Sequence, residues 1–173
     1  VHQDQVQTKV ESKMTKYAFN KDVEEAKVAR VAGKDVGIST KISIEICNFI
    51  RGKNVQRVKR ELNDILIKKT ALPMTRFITD RGHKPGMAAG SYPIKAIGNF
   101  LKLIASLESN AQVKGLGTEE LVLIHVCAHR ASRPMHYGRQ RRSEMKRTHV
   151  ELIGQEITPE KKVKNIKKFG ENK

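Results

Sequence analysis

The chain has 173 residues, enough for one ordinary domain with extensions. Its 34 Lys and Arg against 18 Asp and Glu give a formal charge of +16. Like charges repel within a compact fold, so the excess points to a polyanionic partner, either nucleic acid or an anionic membrane surface, while the absence of any run of 18 apolar residues excludes a membrane-spanning helix.

The first residues, VHQDQVQTKVESK, are polar and do not read as a signal peptide. A helix that lies on a membrane surface needs a Trp, Phe or Leu face. This chain has no Trp, and its most basic stretch lacks helical periodicity, so nucleic acid is the better reading. Two cysteines, Cys47 and Cys127, form no CxxC and read as buried thiols of a reducing compartment. Aromatic residues make up 5%, few for stacking single-stranded bases, which favours contact with phosphates and with the shape of folded RNA or duplex DNA.

Residues 1–30 are polar and read as an extension that lies on a partner. Alternating valines over 28–38 predict a short strand. Ser39 is a candidate N-cap for a helix whose apolar positions are Ile42, Ile46, Phe49 and Ile50, with Gly52 at its stop. A second helix follows Asn54 and extends to about Thr70. Val55, Val58, Leu62, Ile65 and Leu66 form its apolar stripe. The segment 72–93 is too long for a plain connection, and it carries Arg76, Arg81 and Lys84 among Gly82, Gly86 and Gly90.

A third helix is predicted from about Pro93 to Val113. Ile97, Phe100, Leu101, Ile104 and Leu107 form its buried face, and Ala96, Gly98, Ala105 and Ala111 would permit close packing. Residues 121–130 and 147–156 read as paired strands. Strict alternation puts Leu121, Leu123, His125, Cys127 and His129 on one face, and Val122, Ile124, Val126 and Ala128 on the other. Residues 157–173 form a lysine-rich tail with no core-forming pattern.

Between the two strands lies RASRPMHYGRQRRSEMKR, residues 130–147. It holds seven cations (Arg130, Arg133, Arg139, Arg141, Arg142, Lys146 and Arg147) and one acid, Glu144. An extended loop of this length reaches roughly 30 Å beyond a body at about 3.3 Å per residue. A two-stranded arm is marginal alone in water, so this one should be ordered along phosphates, which the arginine fork grips in bidentate fashion. Pro134 and Gly138 bend it. Its density of cations exceeds that of an ordinary solvated loop.

His125, Cys127 and His129 share a strand face with soft-ligand spacing, and a zinc site is conceivable with Cys47 or His149 as the fourth ligand. Positions i, i+2 and i+4 of one strand do not converge on a tetrahedron, so two partly exposed histidines around a thiol is the better reading. As a Cys/His nucleophile pair, the same residues lack an orienting acid. There is no Walker motif, G-x-G-x-x-G after a strand, H-E-x-x-H or G-x-S-x-G. No enzyme, cofactor or metal is assigned.

The order of ISTKISIEICNFIRGK (38–53), a basic helix, YPIKAIGNFLKLIASLESNAQVKGL (92–116) and GRQRRSEMKRTHVELIGQE (138–156) resembles the universal large-subunit ribosomal protein family numbered twenty-two. The inserted loop at 72–92 and the ESNAQVKGL segment are similar to its archaeal and eukaryotic branch. The resemblance covers about residues 30–156. It implies an α+β fold: three helices packed on a small antiparallel sheet, with two strands extended into a long basic hairpin at about 128–148. The body would span 31–156, between the extension 1–30 and the tail 157–173.

The same resemblance implies a cytoplasmic structural constituent of the large ribosomal subunit. Its partners would be large-subunit rRNA, neighbouring ribosomal proteins and the nascent polypeptide, with no membrane insertion. Carried onto this sequence, the rRNA-binding residues would be Lys34, Lys41, Arg51, Lys53, Arg76, Arg81, Lys84, Arg130, Arg133, Arg139, Arg142, Lys146 and Arg147. Met135, His136, Tyr137, Gly138 and Arg141 are candidates to line the peptide exit tunnel. A competing reading is a DNA-architectural protein that lays the arm into a minor groove with Pro134–Met135 as a wedge. Cations spread over several separate segments favour a partner that surrounds the protein, whereas a duplex touches one side.

Overall fold

The structure is a computed structural model and describes residues 27–157. The elements in chain order are β1 (Val28–Val36), α1 (Thr40–Ile50), α2 (Val55–Leu66), β2 (Leu72–Pro73), β3 (Gly90–Ser91), α3 (Ile94–Val113), β4 (Leu121–Arg130) and β5 (Thr148–Glu156). The main sheet is antiparallel and three-stranded, in the order β1-β5-β4, and β2 pairs with β3. The α+β class and the three helices are as expected. The polar extension and the tail lie outside the described residues, apart from Lys27–Arg30 and Ile157. Val28–Arg30 pair with Ile153–Gln155, so the sheet starts within the stretch read as extension.

The helices form where the apolar stripes predict them. In α2, Val55, Val58, Leu62 and Ile65 are buried, and the Asn54 side chain accepts from the Gln56 N–H at 2.8 Å as an N-cap. This helix stops at Leu66, a turn before Thr70, because Lys68 takes a left-handed φ of 61°. Ser39 occupies the N-cap position of α1 but makes no side-chain cap; the Ser43 hydroxyl donates back to the Ser39 carbonyl instead. Ile97, Phe100, Ile104 and Leu107 of α3 are fully buried, with Ile46 and Ile50 of α1 and Leu152 of β5.

Helix α3 lies over β1, α1 against β4, and α2 against α3. Lys59 and Gln56 of α2 both bond Glu108 of α3. The close approach of α3 to the sheet depends on a strand residue. A methyl group on Gly33 would sit 3.0 Å from Leu103 Cδ2. Ala96 and Ala111 are buried as expected, but Gly98 faces open space and Ala105 is exposed.

Strict alternation fails in β4. Leu123 faces Gly154 and His125 faces Ile153, so Ile124 is an extra residue, a β-bulge. Leu121 and Leu123 are buried upstream of it and Val126 is buried downstream. The bulge therefore moves His125, Cys127 and His129 to the face opposite the two leucines. It occurs where Leu123 bonds a second neighbour: its carbonyl accepts from Gly52 N–H and its N–H donates to the Lys53 carbonyl. The Arg51 guanidinium also donates to the Val126 carbonyl at 2.9 Å. Residues 51–54 thus cover the β4 edge, which would otherwise offer unpaired backbone groups.

Candidate nucleic-acid interface

Regular β4–β5 pairing ends at Arg130 opposite Thr148. Beyond it the two sides of the arm stay together through separate contacts. Ala131 N–H donates to the Arg147 carbonyl, Met145 N–H to the Pro134 carbonyl, and His136 N–H to the Ser143 carbonyl. Met135 and Glu144 form an isolated bridge, and Arg133 pairs with Glu144 at 2.9 Å. Gly138, with φ of 64°, opens a single 3-10 turn, Gly138–Gln140, at the tip. The strands themselves do not continue into the arm. Pro134 offers no N–H to a ladder, and cations on both sides repel.

The root of the arm is fastened to the body. The buried Thr148 hydroxyl donates to the Ile38 carbonyl at 3.0 Å and shares a second 3.0 Å bond with the Thr40 hydroxyl. Arg147 Nη1 donates to the Asp35 carbonyl, and the Asp35 N–H donates to His149 Nδ1 at 3.1 Å. Replacing Thr148 with Val keeps the shape but leaves the Ile38 carbonyl and the Thr40 hydroxyl short of a partner. A loss of about 1–3 kcal/mol is expected in urea denaturation; an unchanged midpoint would show that the pair carries no weight.

The 74–81 loop is fastened by a carboxylate. Glu45 of α1 is 1% exposed. It accepts from the backbone N–H of Thr75, Arg76 and Phe77 and from the Thr75 hydroxyl, at 2.7–3.2 Å. Burial pushes its pKa up, but the bonds from Phe77, Thr75 and Arg76 outweigh it and the net shift is downward from 4.5. A lowered folded pKa stabilises the fold above pH 4.5, and this contribution is lost as pH falls through the folded value. Thermal melts of the wild type and Glu45→Gln should therefore differ at neutral pH and converge below pH 4.5. A constant difference down to pH 3 would contradict an ionised anchor.

These two fastenings bring distant cations together. A cleft of about 870 Å³ opens between the start of α1, the 74–81 loop and the root of the arm. Lys41, Arg76, Arg81, Arg130, Arg133, Lys146 and Arg147 line it, with Asp80 the one acid and Ile42, Met74 and Phe77 its apolar part. Lys41 and Arg76 both lie over the Phe77 ring, at 5.7 and 5.4 Å. At the tip, Gly138, Arg139, Arg141 and Arg142 line a separate shallow concavity.

The remaining sequence candidates lie elsewhere. Lys34 is exposed in β1, where the pairing with β5 shifts register between Gly33 and Val36. Lys53 is turned inward: its Nζ is 2.6 Å from Glu61 and 3.6 Å from the Phe49 ring centroid. Lys84 lies over Tyr92, while Arg51 holds the sheet edge. Met135 is 58% and Tyr137 86% exposed, whereas His136 is half-buried and lines a second cleft with Ile94 and Lys95.

A sequence model of the ribosomal protein L22p/L17e family matches residues 31–155. The chain belongs to this family. Curated relatives named large ribosomal subunit protein uL22 agree along nearly their whole length. The protein of Thermofilum pendens is 31% identical over 150 residues, covering 83% of this chain and 99% of the relative. The protein of Methanosphaera stadtmanae is 35% identical, covering 82% and 97%. That of Archaeoglobus fulgidus is 35% identical, covering 80% and 94%. Within the L22 frame, the arm is the segment between β4 and β5, and the cleft lies at its root.

The histidine face of this L22 chain does not gather ligands. His125 Nε2 lies 3.6 Å from Glu151, and burial, with the charges of Arg51 and His129, lowers its pKa against the raising effect of Glu151. Cys47 is buried, its thiol pushed up to about 12 chiefly by that burial. Among the described residues no group of three His, Cys, Asp or Glu could hold a metal ion, and no helix is long and apolar enough to cross a membrane. Sequence reasoning missed Glu45 and Thr148. Glu45 had a signal, since it falls on the apolar face of α1 three residues after Ile42. Thr148 had none, because its partners are 108 and 110 residues away.

Proposed function

We propose that this chain is a structural, non-enzymatic constituent of the large ribosomal subunit in the cytoplasm, and that it binds rRNA through the arm and the cleft at its root. The carrying observation is that three separate segments place seven cations around one cleft that has a single acid. Such a surface suits a polyanion that enters between the elements and supplies affinity through phosphates. The solvated tip cations extend it, and neighbouring ribosomal proteins would cover the rest of the body. The exposed tip residues Met135, Tyr137 and Arg141, with His136 and Gly138, are the part of the arm placed to meet a nascent polypeptide in the exit tunnel.

Sedimentation of native extract at low and at moderate salt, with this chain followed by mass spectrometry, tests the assignment. Co-migration with the large subunit through both washes is expected. Migration as free protein, or with DNA, would refute it. A photoreactive residue at position 137 should crosslink to stalled nascent chains. Crosslinks to rRNA alone would remove the tunnel role and leave the RNA role standing.

A further inference from the structure

We propose that the cleft at the root of the arm takes a single unpaired RNA strand, and that Glu45 is the positioning residue that holds its loop wall in place. The inference rests on the rRNA-binding reading and assigns it a place and a strand form. The cleft has cations on three walls: Lys41 from α1, Arg76 and Arg81 from the loop, Arg130 and Lys146 from the arm. Cations on all sides suit a backbone that enters between them. A volume of about 870 Å³ is on the scale of a few nucleotides, far less than a turn of A-form duplex occupies. The half-buried Ile42 and Phe77 make part of the lining apolar, with Lys41 and Arg76 over the Phe77 ring and Met74 buried behind them.

The loop wall has little regular structure of its own. It leaves the body at β2 and returns at β3, a ladder of two residue pairs. What fixes Arg76 within it is the Glu45 carboxylate, which takes the backbone N–H of Arg76 and Phe77 at 2.7 Å each. A buried acid in a protein of charge +16 is thus used to aim cations. Both arginine side chains are exposed, Arg76 over the Phe77 ring and Arg81 donating to the Ser91 hydroxyl at 3.4 Å. Held in advance, they meet a phosphate without the entropy cost of ordering the loop at that moment.

The test uses the full chain, a twelve-nucleotide oligouridine and a twelve-base-pair RNA duplex, titrated across a salt range. Amide exchange of residues 75–78 is followed in free protein. The wild type is expected to prefer the strand. Arg76→Ala/Arg81→Ala should weaken strand binding about tenfold and lower the salt slope by about 1.4, two contacts at about 0.7 each. Glu45→Gln should speed exchange at 75–78 and reproduce that weakening, and adding it to the double variant should change nothing further. Faster exchange with unchanged strand affinity would overturn the positioning role. Preference for duplex, or a double variant that binds as the wild type does, would overturn the cleft assignment while RNA binding stands. Binding to neither probe would instead refute the rRNA reading itself. The two arginines are exposed, so their variant decides the cleft even where Glu45→Gln fails to fold.

Discussion

Phe100→Ala is expected to destabilise the protein by about 3–5 kcal/mol, the largest single effect of any substitution considered. Phe100 is the largest of the fully buried side chains. It sits mid-way along α3, one turn from Ile97 and Ile104, in the core cluster that joins all three helices to the sheet. Truncation removes the transfer free energy of the ring and leaves a cavity that neighbours fixed on rigid elements fill only in part. A domain of this kind is stable by about 5–15 kcal/mol, so the loss takes a large share. Urea denaturation should show a lower midpoint with an unchanged slope. An unchanged midpoint would mean that α3 does not hold the core together.

Neutralising the tip should do the reverse, leaving the fold intact and weakening RNA binding. Arg139, Arg141 and Arg142 are exposed, and their side chains make no bond to other described residues. Replacing all three with Ala should move stability by no more than about 0.5 kcal/mol. The same change should lower affinity for rRNA roughly 100-fold and the salt slope by about 2, at about 0.7 per phosphate contact. The salt slope is the decisive readout, because a nonspecific loss of structure changes affinity without removing a set number of counterions. A stable variant with an unaltered slope would place the tip off the phosphates.

The two predictions separate what was legible in the residues from what was not. The stripe around Phe100 is a local pattern, and α3 lies where that stripe puts it. The strand pair 121–130 and 147–156 was legible for the same reason, yet its face assignment broke at Ile124. A bulge is set by what the neighbouring backbone offers, here Gly52 and Lys53 bonding Leu123. The cations were legible as composition, but their uses were not. Lys53 pairs with Glu61, Arg133 pairs with Glu144 and Arg51 closes the sheet edge, contacts inside the protein that no local window records.

The residues alone specify the helices, the paired strands, the cationic segment between them and the excess of positive charge. Each follows from periodicity or charge within a short window, where side-chain direction is dictated by the local backbone. Tertiary structure alone decided that Lys41, Arg76, Arg81 and the arm root form one cleft, and that Glu45 and Thr148 fasten its walls. Those contacts join residues 30 to 110 positions apart. Nothing in a local window records such a pairing, because it exists only once the core has packed and brought the segments within reach.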